Sequence, residues 1–466
     1  MLRLTWVQPE DLLGHELRQA AQDGREASAI AARWFDAGGT EAPLRAGASH
    51  TAASPYLRLL AEDLLDELAD LPGLLTDAEP TDPAGIRALC PEWPAGPAAV
   101  RPVPSPARLE AAWLGRAAGC LLGKPVEKLP LRGIRALARA TGNWPLNTWF
   151  TARGVPDRLA AAYPFNRRSA ATSLAENIDG MPEDDDLDHP LLNLLLLQRH
   201  GHAFTTADVA RLWLDELPAG RTYTAERVAY RNLLAGVEPP RTARHRNPFR
   251  EWTGALVRAD VHGWTNAGDP GAAAEQAHRD ATLTHTANGV YAAMFAAAVI
   301  AAAAGGDDDV HGCLRTGLAV VPPGSRLAVA VRHAVRLART TEDFDAVVDA
   351  LHAVHHDCHW VHAVPNTALI AAALTHADGD FTGSVCRVVS GGWDTDSNGA
   401  TAGSVAGLLA GSPAALPDRW TAPLKNRLAT TVGDFDGTGF DTLAHLTHEH
   451  CDRGRDDHHD QERRHP

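Results

Sequence analysis

The spacing of apolar residues predicts helices along almost the whole chain. A helix is expected to begin at Pro9, because an acidic first turn follows and apolar residues then recur every three or four positions. The same spacing returns between Tyr56 and Leu71. Few segments alternate apolar and polar residues with the period of two that a half-buried strand requires. The pattern therefore predicts an all-α protein.

Prolines and charges divide the chain into four parts. Residues 1–90 are predicted to form a separate helical accessory region. Residues 91–106 contain six prolines, which is typical of a linker or an extended wrap. Residues 107–446 are expected to form one domain of many helices, with functional residues at helix ends. Residues 447–466 are charged and offer little to bury, so they are predicted to be a disordered tail.

Two segments of the large domain predict close packing. Residues 286–305 carry no charge, but they are mostly alanine, which is too weakly apolar for a convincing membrane span. A buried helix is the better prediction there. Gly115, Gly119 and Gly123 fall four residues apart, so one face of their helix is smooth and a neighbour can approach closely.

Composition narrows the classes of function. The formal net charge is −15, which argues against a nucleic-acid partner because phosphate binding needs a surplus of lysine and arginine. A small phosphorylated ligand stays possible, since a bound metal reverses the local field. The six cysteines form no CxxC pair and the N-terminus resembles no signal peptide, so reduced thiols and a cytoplasmic location are predicted.

Two acidic clusters, roughly two hundred residues apart, are the strongest candidates for chemistry. Five of the six residues from Glu183 to Asp188 are acidic, more than the capping of a helix N-terminus explains. The second cluster contains Asp394, Asp396 and Ser397, and small residues suited to a deeply packed helix follow it. Carboxylates and hydroxyls at this density repel one another unless a cation holds them, and hard divalent cations take such oxygen ligands.

Two other motifs are rejected, and the histidines of the chain allow more than one interpretation. An EF-hand is unlikely because Val405 stands where its last ligand, a glutamate, belongs. The glycines around Lys124 have the wrong spacing for a Walker loop, and Pro125 replaces its Ser or Thr. The histidines between His352 and His362 have helical spacing that suits zinc, but ordinary helix residues, some lining a pocket, are the favoured interpretation. His285 suits either a helix cap or a ligand contact.

Four blocks together resemble the ADP-ribosylglycohydrolase family, the dinitrogenase-reductase-activating type of ADP-ribosylhydrolase. They follow the family's order over residues 110–412. Residues 119–127 look like its G-D-x-x-G-x-x-x-E motif, and residues 184–187 stand where it has T-D-D-T. His285 with Gly289 is similar to its middle histidine motif, and residues 391–397 look like its G-G-D-x-D-T motif. Cys120, Asp184 and Leu187 depart from the family's residues.

The resemblance implies an orthogonal multi-helix bundle with a centre for two Mg²⁺ ions, or for Mn²⁺. The implied metal ligands are Asp184, Asp185, Asp186, Asp394, Asp396 and Ser397. Glu127 and Asp185 are the implied catalytic residues. The implied substrate-binding residues are Gly119, Gly123, His285, Gly391, Gly392 and Trp393. Backbone N–H groups near Gly119 or Gly391 are expected to receive a diphosphate.

The resemblance also implies the reaction, which is hydrolysis of the N- or O-glycosidic bond between ADP-ribose and a protein side chain or small molecule. Two alternatives stay open. One is a metal-dependent hydrolase of a free nucleoside or another ribosylated metabolite. The other is a catalytically silent protein that binds ADP-ribose. Neither a nucleic-acid partner nor a membrane is expected, and the sequence leaves the oligomeric state open.

Overall fold

The computed structural model describes residues 4–43, 52–94, 103–306 and 308–452. Within these ranges the chain forms helices and no strand, apart from two isolated bridges. The prediction of an all-α protein is confirmed. All six cysteines lie in the described part and none is disulfide-bonded.

Four helices belong to the N-terminal region: α1 (Pro9–Gln22), α2 (Ser28–Asp36), α3 (Pro55–Ala69) and α4 (Pro83–Leu89). The next nine are α5 (Pro106–Gly123), α6 (Leu131–Ala140), α7 (Asp157–Ala162), α8 (Ala170–Ser173), α9 (Asp185–His200), α10 (Thr206–Glu216), α11 (Thr224–Leu234), α12 (Asp260–Trp264) and α13 (Pro270–Ala281). The last nine are α14 (Ala287–Gly305), α15 (Val310–Ala319), α16 (Arg326–Thr340), α17 (Phe344–Val354), α18 (Ala363–His376), α19 (Phe381–Ser390), α20 (Thr395–Ala410), α21 (Asp418–Thr421) and α22 (Phe440–Asp452).

Helices α5 and α20 form the closest pair in the core. A Cβ atom added to Gly119 would lie 1.9 Å from the carbonyl oxygen of Gly399, and one added to Gly115 would lie 2.2 Å from that of Gly403. Only glycine permits this approach, because any side chain would collide with backbone. The predicted smooth stripe is therefore confirmed, and its partner is the helix that follows the second acidic cluster.

Helix α14 fills the middle of the domain, where it packs against α12, α13, α15 and α20. In the described part of the chain it alone is long and apolar enough to cross a membrane, yet its most apolar window is completely buried inside the protein. The prediction of a buried helix at this position is confirmed.

The N-terminal region packs directly against the large domain. Leu12, Leu13 and Leu64 share a hydrophobic core with Phe249 and Trp252. Arg250 bridges Glu16 and Asp23 across the same boundary, with distances of 2.7 and 2.8 Å. The expectation that this region is separate is thus wrong, because its amphipathic helices bury their apolar faces on the large domain.

The predicted boundary at residue 446 needs correction. Half of the predicted proline-rich linker, residues 95–102, lies outside the described residues. Helix α22 continues to Asp452, and within it Thr447 is buried and accepts a hydrogen bond from the Trp113 indole. The predicted tail therefore begins as ordered helix, and its remainder, residues 453–466, lies outside the described residues.

Candidate active site

Both acidic clusters line a single cavity of about 640 Å³. The first cluster enters it at the start of α9 and the second at the start of α20. The predicted residues that share its wall are Glu127, Asp184, Asp185, Asp186, Asp394, Asp396 and Ser397. The two distant parts of the chain meet because the glycine stripe of α5 holds α20, while Arg116 of α5 binds α9.

Arg116 holds the first turn of α9 in place. Its fully buried guanidinium donates to the carbonyl oxygen of Asp186 at 2.8 and 2.6 Å and forms an ion pair with Asp260 at 2.8 Å. Asp184 caps the helix by accepting from the Asp186 backbone N–H at 3.0 Å. The backbone that carries the first cluster is therefore held rigidly before any cation binds.

The second cluster has its own support. Thr253 donates to Asp394 Oδ2 at 2.7 Å, and Asn366 Oδ1 accepts from the Asp394 backbone N–H at 3.2 Å. Thr395 donates to the Gly123 carbonyl at 2.9 Å, which joins the start of α20 to the end of α5. Thr253 and Asn366 therefore support a predicted metal ligand, and no sequence pattern singled them out.

Glu127 lies on the wall between the clusters. Its Oε2 accepts from Asn166 Nδ2 at 2.9 Å, and its other carboxylate oxygen pairs with Lys128. The side chain keeps an exposed fraction of 16% on the cavity side of the protein. A carboxylate held on two sides and open on the third is suited to hold or move a proton at a fixed position.

The carboxylates repel one another strongly. Burial, followed by the charges of Asp184 and Asp186, raises the pKa of Asp185 well above its ordinary value. Burial, followed by Glu127 and Asp394, does the same to the pKa of Asp396. The pKa of Asp394 rises to about 6, chiefly through burial. Burial and mutual repulsion therefore favour the neutral, protonated form of these carboxylates. A divalent cation among them would stabilise the charged form.

The donor set fits a hard divalent cation. Oxygen atoms dominate it, and Asp186 Oδ1 is buried without a hydrogen-bond partner. Ligand atoms of Cys120, Asp184 and Asp186 lie within 4.8 Å of one another. Burial, followed by Asp184 and Asp186, raises the pKa of the Cys120 thiol, which donates to Asp186 at 3.7 Å. Cys120 thus acts as a weak hydrogen-bond donor to Asp186, one of the predicted metal ligands.

Lys124 compensates part of the negative charge. Its ammonium group forms a buried ion pair with Asp184, the position where the resembling family has threonine. Although burial opposes it, this pairing raises the pKa of Lys124 well above its ordinary value and lowers that of Asp184. The additional carboxylate is therefore matched by a cation of the chain itself.

Six residues expected to bind substrate are not among those that line the cavity. They are Gly119, Gly123, His285, Gly391, Gly392 and Trp393. His285 is fully buried beside Thr284 and Glu226, and Trp393 stacks on His352 at 4.1 Å. These six position the chain around the site, and a direct contact with substrate at any of them stays a prediction.

The N–H groups of Gly119 and Gly391 themselves are not free to receive the expected diphosphate, and a contact with helix starts near them stays a prediction. Gly119 lies inside α5, and not at a helix start. The Gly391 N–H donates to carbonyl oxygens of Arg387 and Val388 at the end of α19. Both N–H groups are therefore already used within helices and have nothing to offer a phosphate.

Aromatic residues that the sequence analysis missed form the other side of the cavity. They are Trp6, Tyr223, Trp252 and Trp360, together with His359 from the histidine patch. Trp252 and His359 stack with ring centroids 4.1 Å apart. Since these residues come from four separate parts of the chain without a shared motif, sequence spacing held no signal for them. The prediction that part of the histidine patch lines a pocket is confirmed by His359.

The described part of the chain is all-α and brings two acidic clusters into one cavity, and comparison with known proteins identifies the family. The family model for ADP-ribosylglycohydrolase matches residues 103–455. The chain belongs to this family, whose members are glycosidases that act on ADP-ribosylated substrates.

Other comparisons add little to this assignment. A solved structure described as an ADP-ribosylglycohydrolase-related protein complex shares 21% sequence identity, with a TM-score of 0.47. The similarity covers 74% of this chain and 98% of that one. No curated protein matches the sequence. The N-terminal region up to residue 102 lies outside the matched family domain.

Proposed function

We propose that the chain hydrolyses the glycosidic bond between ADP-ribose and a protein side chain or small molecule, with two divalent cations, Mg²⁺ or Mn²⁺, in its site. The observation that supports this proposal most directly is the meeting of both acidic clusters with Glu127 in one cavity. The predicted ligands are Asp184, Asp185, Asp186, Asp394, Asp396 and Ser397. When bound, the cations would polarise ribose hydroxyls and lower the pKa of a bound water.

The residues of the chain would carry out the remaining steps. Cleavage at the anomeric carbon develops positive charge on the ribose ring, and the surrounding carboxylates stabilise that charge. Glu127, oriented by Asn166 and Lys128, would take a proton from the attacking water or return one to the leaving group. Asp185 is a second candidate for this role.

A turnover screen tests the proposal. The protein is incubated with ADP-ribosyl-arginine, ADP-ribosyl-serine and free nucleosides, each with Mg²⁺, Mn²⁺ or a chelator, and products are separated by chromatography. Release of ADP-ribose that requires a cation supports the proposal. Cleavage of nucleosides alone would favour the nucleoside-hydrolase alternative. Tight ADP-ribose binding without any turnover would favour the silent alternative.

A matched pair of variants tests the site. Asp396→Asn removes a charge from the cavity wall, so it should lose cation binding in a calorimetric titration and at least about a hundredfold in turnover. Asp188→Asn removes a charge from the same acidic run as Asp184, but Asp188 is bound by Thr430 and Thr431 outside the cavity lining. It should keep cation binding. Equal loss in both variants would contradict the assignment.

A further inference from the structure

The N-terminal region contributes a side chain to the cavity although it lies outside the family domain. The family match begins at residue 103, yet Trp6 lines the same cavity as the acidic clusters. The indole contacts Tyr223 edge to face, with ring centroids 5.7 Å apart. Tyr223 in turn lines the same cavity as Asp184 and Asp185 of the first cluster. Trp6 is therefore one ring away from the predicted metal ligands.

The segment around Trp6 is anchored on α11 of the large domain. Arg227 Nη1 donates to Thr5 Oγ1 at 2.9 Å, and its guanidinium lies 5.1 Å above the Trp6 ring. Arg231 donates to the Val7 carbonyl at 3.4 Å. Contacts on both sides of Trp6 thus hold the ring in place, and a terminal segment without such contacts would not keep a defined position.

The backbone conformation of Trp6 also indicates that its side chain is held in place. Its φ is +60°, in the left-handed region that bulky residues rarely adopt. Such a conformation persists only where the surrounding contacts enforce it, and it is concentrated at binding sites. The anchoring by Arg227 and Arg231 provides that enforcement, and the result is an indole fixed at the cavity.

Two hydrogen-bond donors of the aromatic side are unused. The indole nitrogens of Trp6 and Trp360 are buried and have no partner among the described residues. A buried N–H without an acceptor is costly, so a small shift of either ring that exposes its N–H to an acceptor on a ligand would offset that cost. Apolar ring faces with N–H donors suit a planar heterocycle, whose faces stack and whose ring atoms accept hydrogen bonds.

We propose that Trp6, together with Tyr223 and Trp360, forms a subsite for the heterocyclic base of the substrate. This inference rests on the proposed function and adds to it that the N-terminal region determines substrate specificity. The base has two possible sources with the same chemistry. It is either the adenine at the far end of ADP-ribose or the base joined directly to ribose in a nucleoside.

Calorimetric titrations with three probes test the subsite, all with Mg²⁺ present. The probes are ADP-ribose, adenosine and ribose 5-phosphate, which lacks a base. Trp6→Ala should weaken binding of a probe with a base by about tenfold or more, the range found for one stacked base, and leave ribose 5-phosphate unchanged. Trp6→Phe keeps a ring and should retain most of the affinity. A loss confined to ADP-ribose assigns the subsite to the distal adenine, and a loss confined to adenosine assigns it to a directly attached base.

Leu4→Ala is the matched control. Leu4 belongs to the same segment, is 54% exposed and does not line the cavity, so its replacement should leave every probe unaffected. Unchanged binding of ADP-ribose and adenosine to Trp6→Ala would overturn the subsite. So would an equal loss for ribose 5-phosphate, which would indicate general damage to the fold. By contrast, wild-type protein that releases ADP-ribose from no conjugate would contradict the proposed function itself.

Discussion

At the scale of single residues, one departure from the family motif is compensated by a neighbouring charge of the chain. Asp184 adds a carboxylate where the family has threonine, and the buried ammonium of Lys124 pairs with it. The sequence revealed the added carboxylate. It did not reveal the compensation, because the pairing depends on how the turn after α5 faces the start of α9. Charge density is visible in a sequence, whereas charge pairing needs the fold.

The Lys124 pair leads to a prediction about metal dependence. In Lys124→Met the buried carboxylate of Asp184 loses its partner, so the protein without metal should be less stable by about 3–5 kcal/mol. A divalent cation would then replace the missing charge. Added Mn²⁺ should therefore raise the melting temperature of Lys124→Met by more than it raises that of the wild type.

Lys128→Met is the control for this experiment. Lys128 pairs with Glu127 at the rim, and 47% of its side chain is exposed, so its loss should cost about 0–1 kcal/mol. Its thermal response to Mn²⁺ should resemble that of the wild type. If Mn²⁺ stabilised Lys124→Met no more than it stabilises the wild type, Lys124 would not be the charge that competes with a bound cation.

At the scale of helices, much of the organisation could be read from the sequence. The glycine stripe of α5 predicted a close neighbour, and the small residues after Asp396 predicted a deeply packed helix. The structure joins these two predictions, since α5 and α20 are each other's neighbour. Matching one smooth face to another across almost three hundred residues needs the fold, because sequence spacing describes each helix by itself.

Gly119→Ala tests whether this helix pair positions the site. The added methyl group would meet the Gly399 carbonyl oxygen at 1.9 Å, so α5 and α20 must separate. We expect a loss of about 1–3 kcal/mol in the free energy of unfolding. Because α20 carries Asp396 into the cavity, weaker Mn²⁺ binding should accompany that loss, as measured by calorimetric titration.

Gly220→Ala is the corresponding control. No atom lies within 4 Å of a Cβ placed at Gly220, and its backbone is outside the left-handed region. Its stability should therefore stay within about 0.5 kcal/mol of the wild type. Wild-type stability in Gly119→Ala would show that the helices tolerate a wider separation than this packing indicates.

At the scale of the whole molecule, the N-terminal region and the family domain form one unit. Sequence patterning predicted the helices of residues 1–90 and gave no sign of where they dock. Docking depends on contacts between side chains that lie far apart in the sequence, such as His15 with Trp252. His15 of α1 meets Trp252 edge to face at 5.7 Å, behind the ring that lines the cavity. The accessory region therefore supports the aromatic side of the site from behind as well as supplying Trp6.

His15 makes this docking sensitive to acid. Burial, followed by the charge of Arg18, lowers its pKa from 6.5 to about 3. Below pH 6.5 the unfolded chain binds a proton at His15 that the folded protein does not bind until about pH 3. The free energy of unfolding therefore falls as the pH falls through this window, by up to about 1.4 kcal/mol per pH unit.

His15→Phe removes that proton uptake and keeps a ring against Phe249 and Trp252. Relative to its value at pH 7.5, the free energy of unfolding in urea should therefore decline less for His15→Phe than for the wild type at pH 5.5 and 4.5. His189, whose pKa burial also lowers to about 3, is present in both proteins and cancels from the comparison. Parallel pH profiles would show that His15 is protonated in the folded protein as readily as in the unfolded chain, contrary to its buried place between the two parts of the molecule.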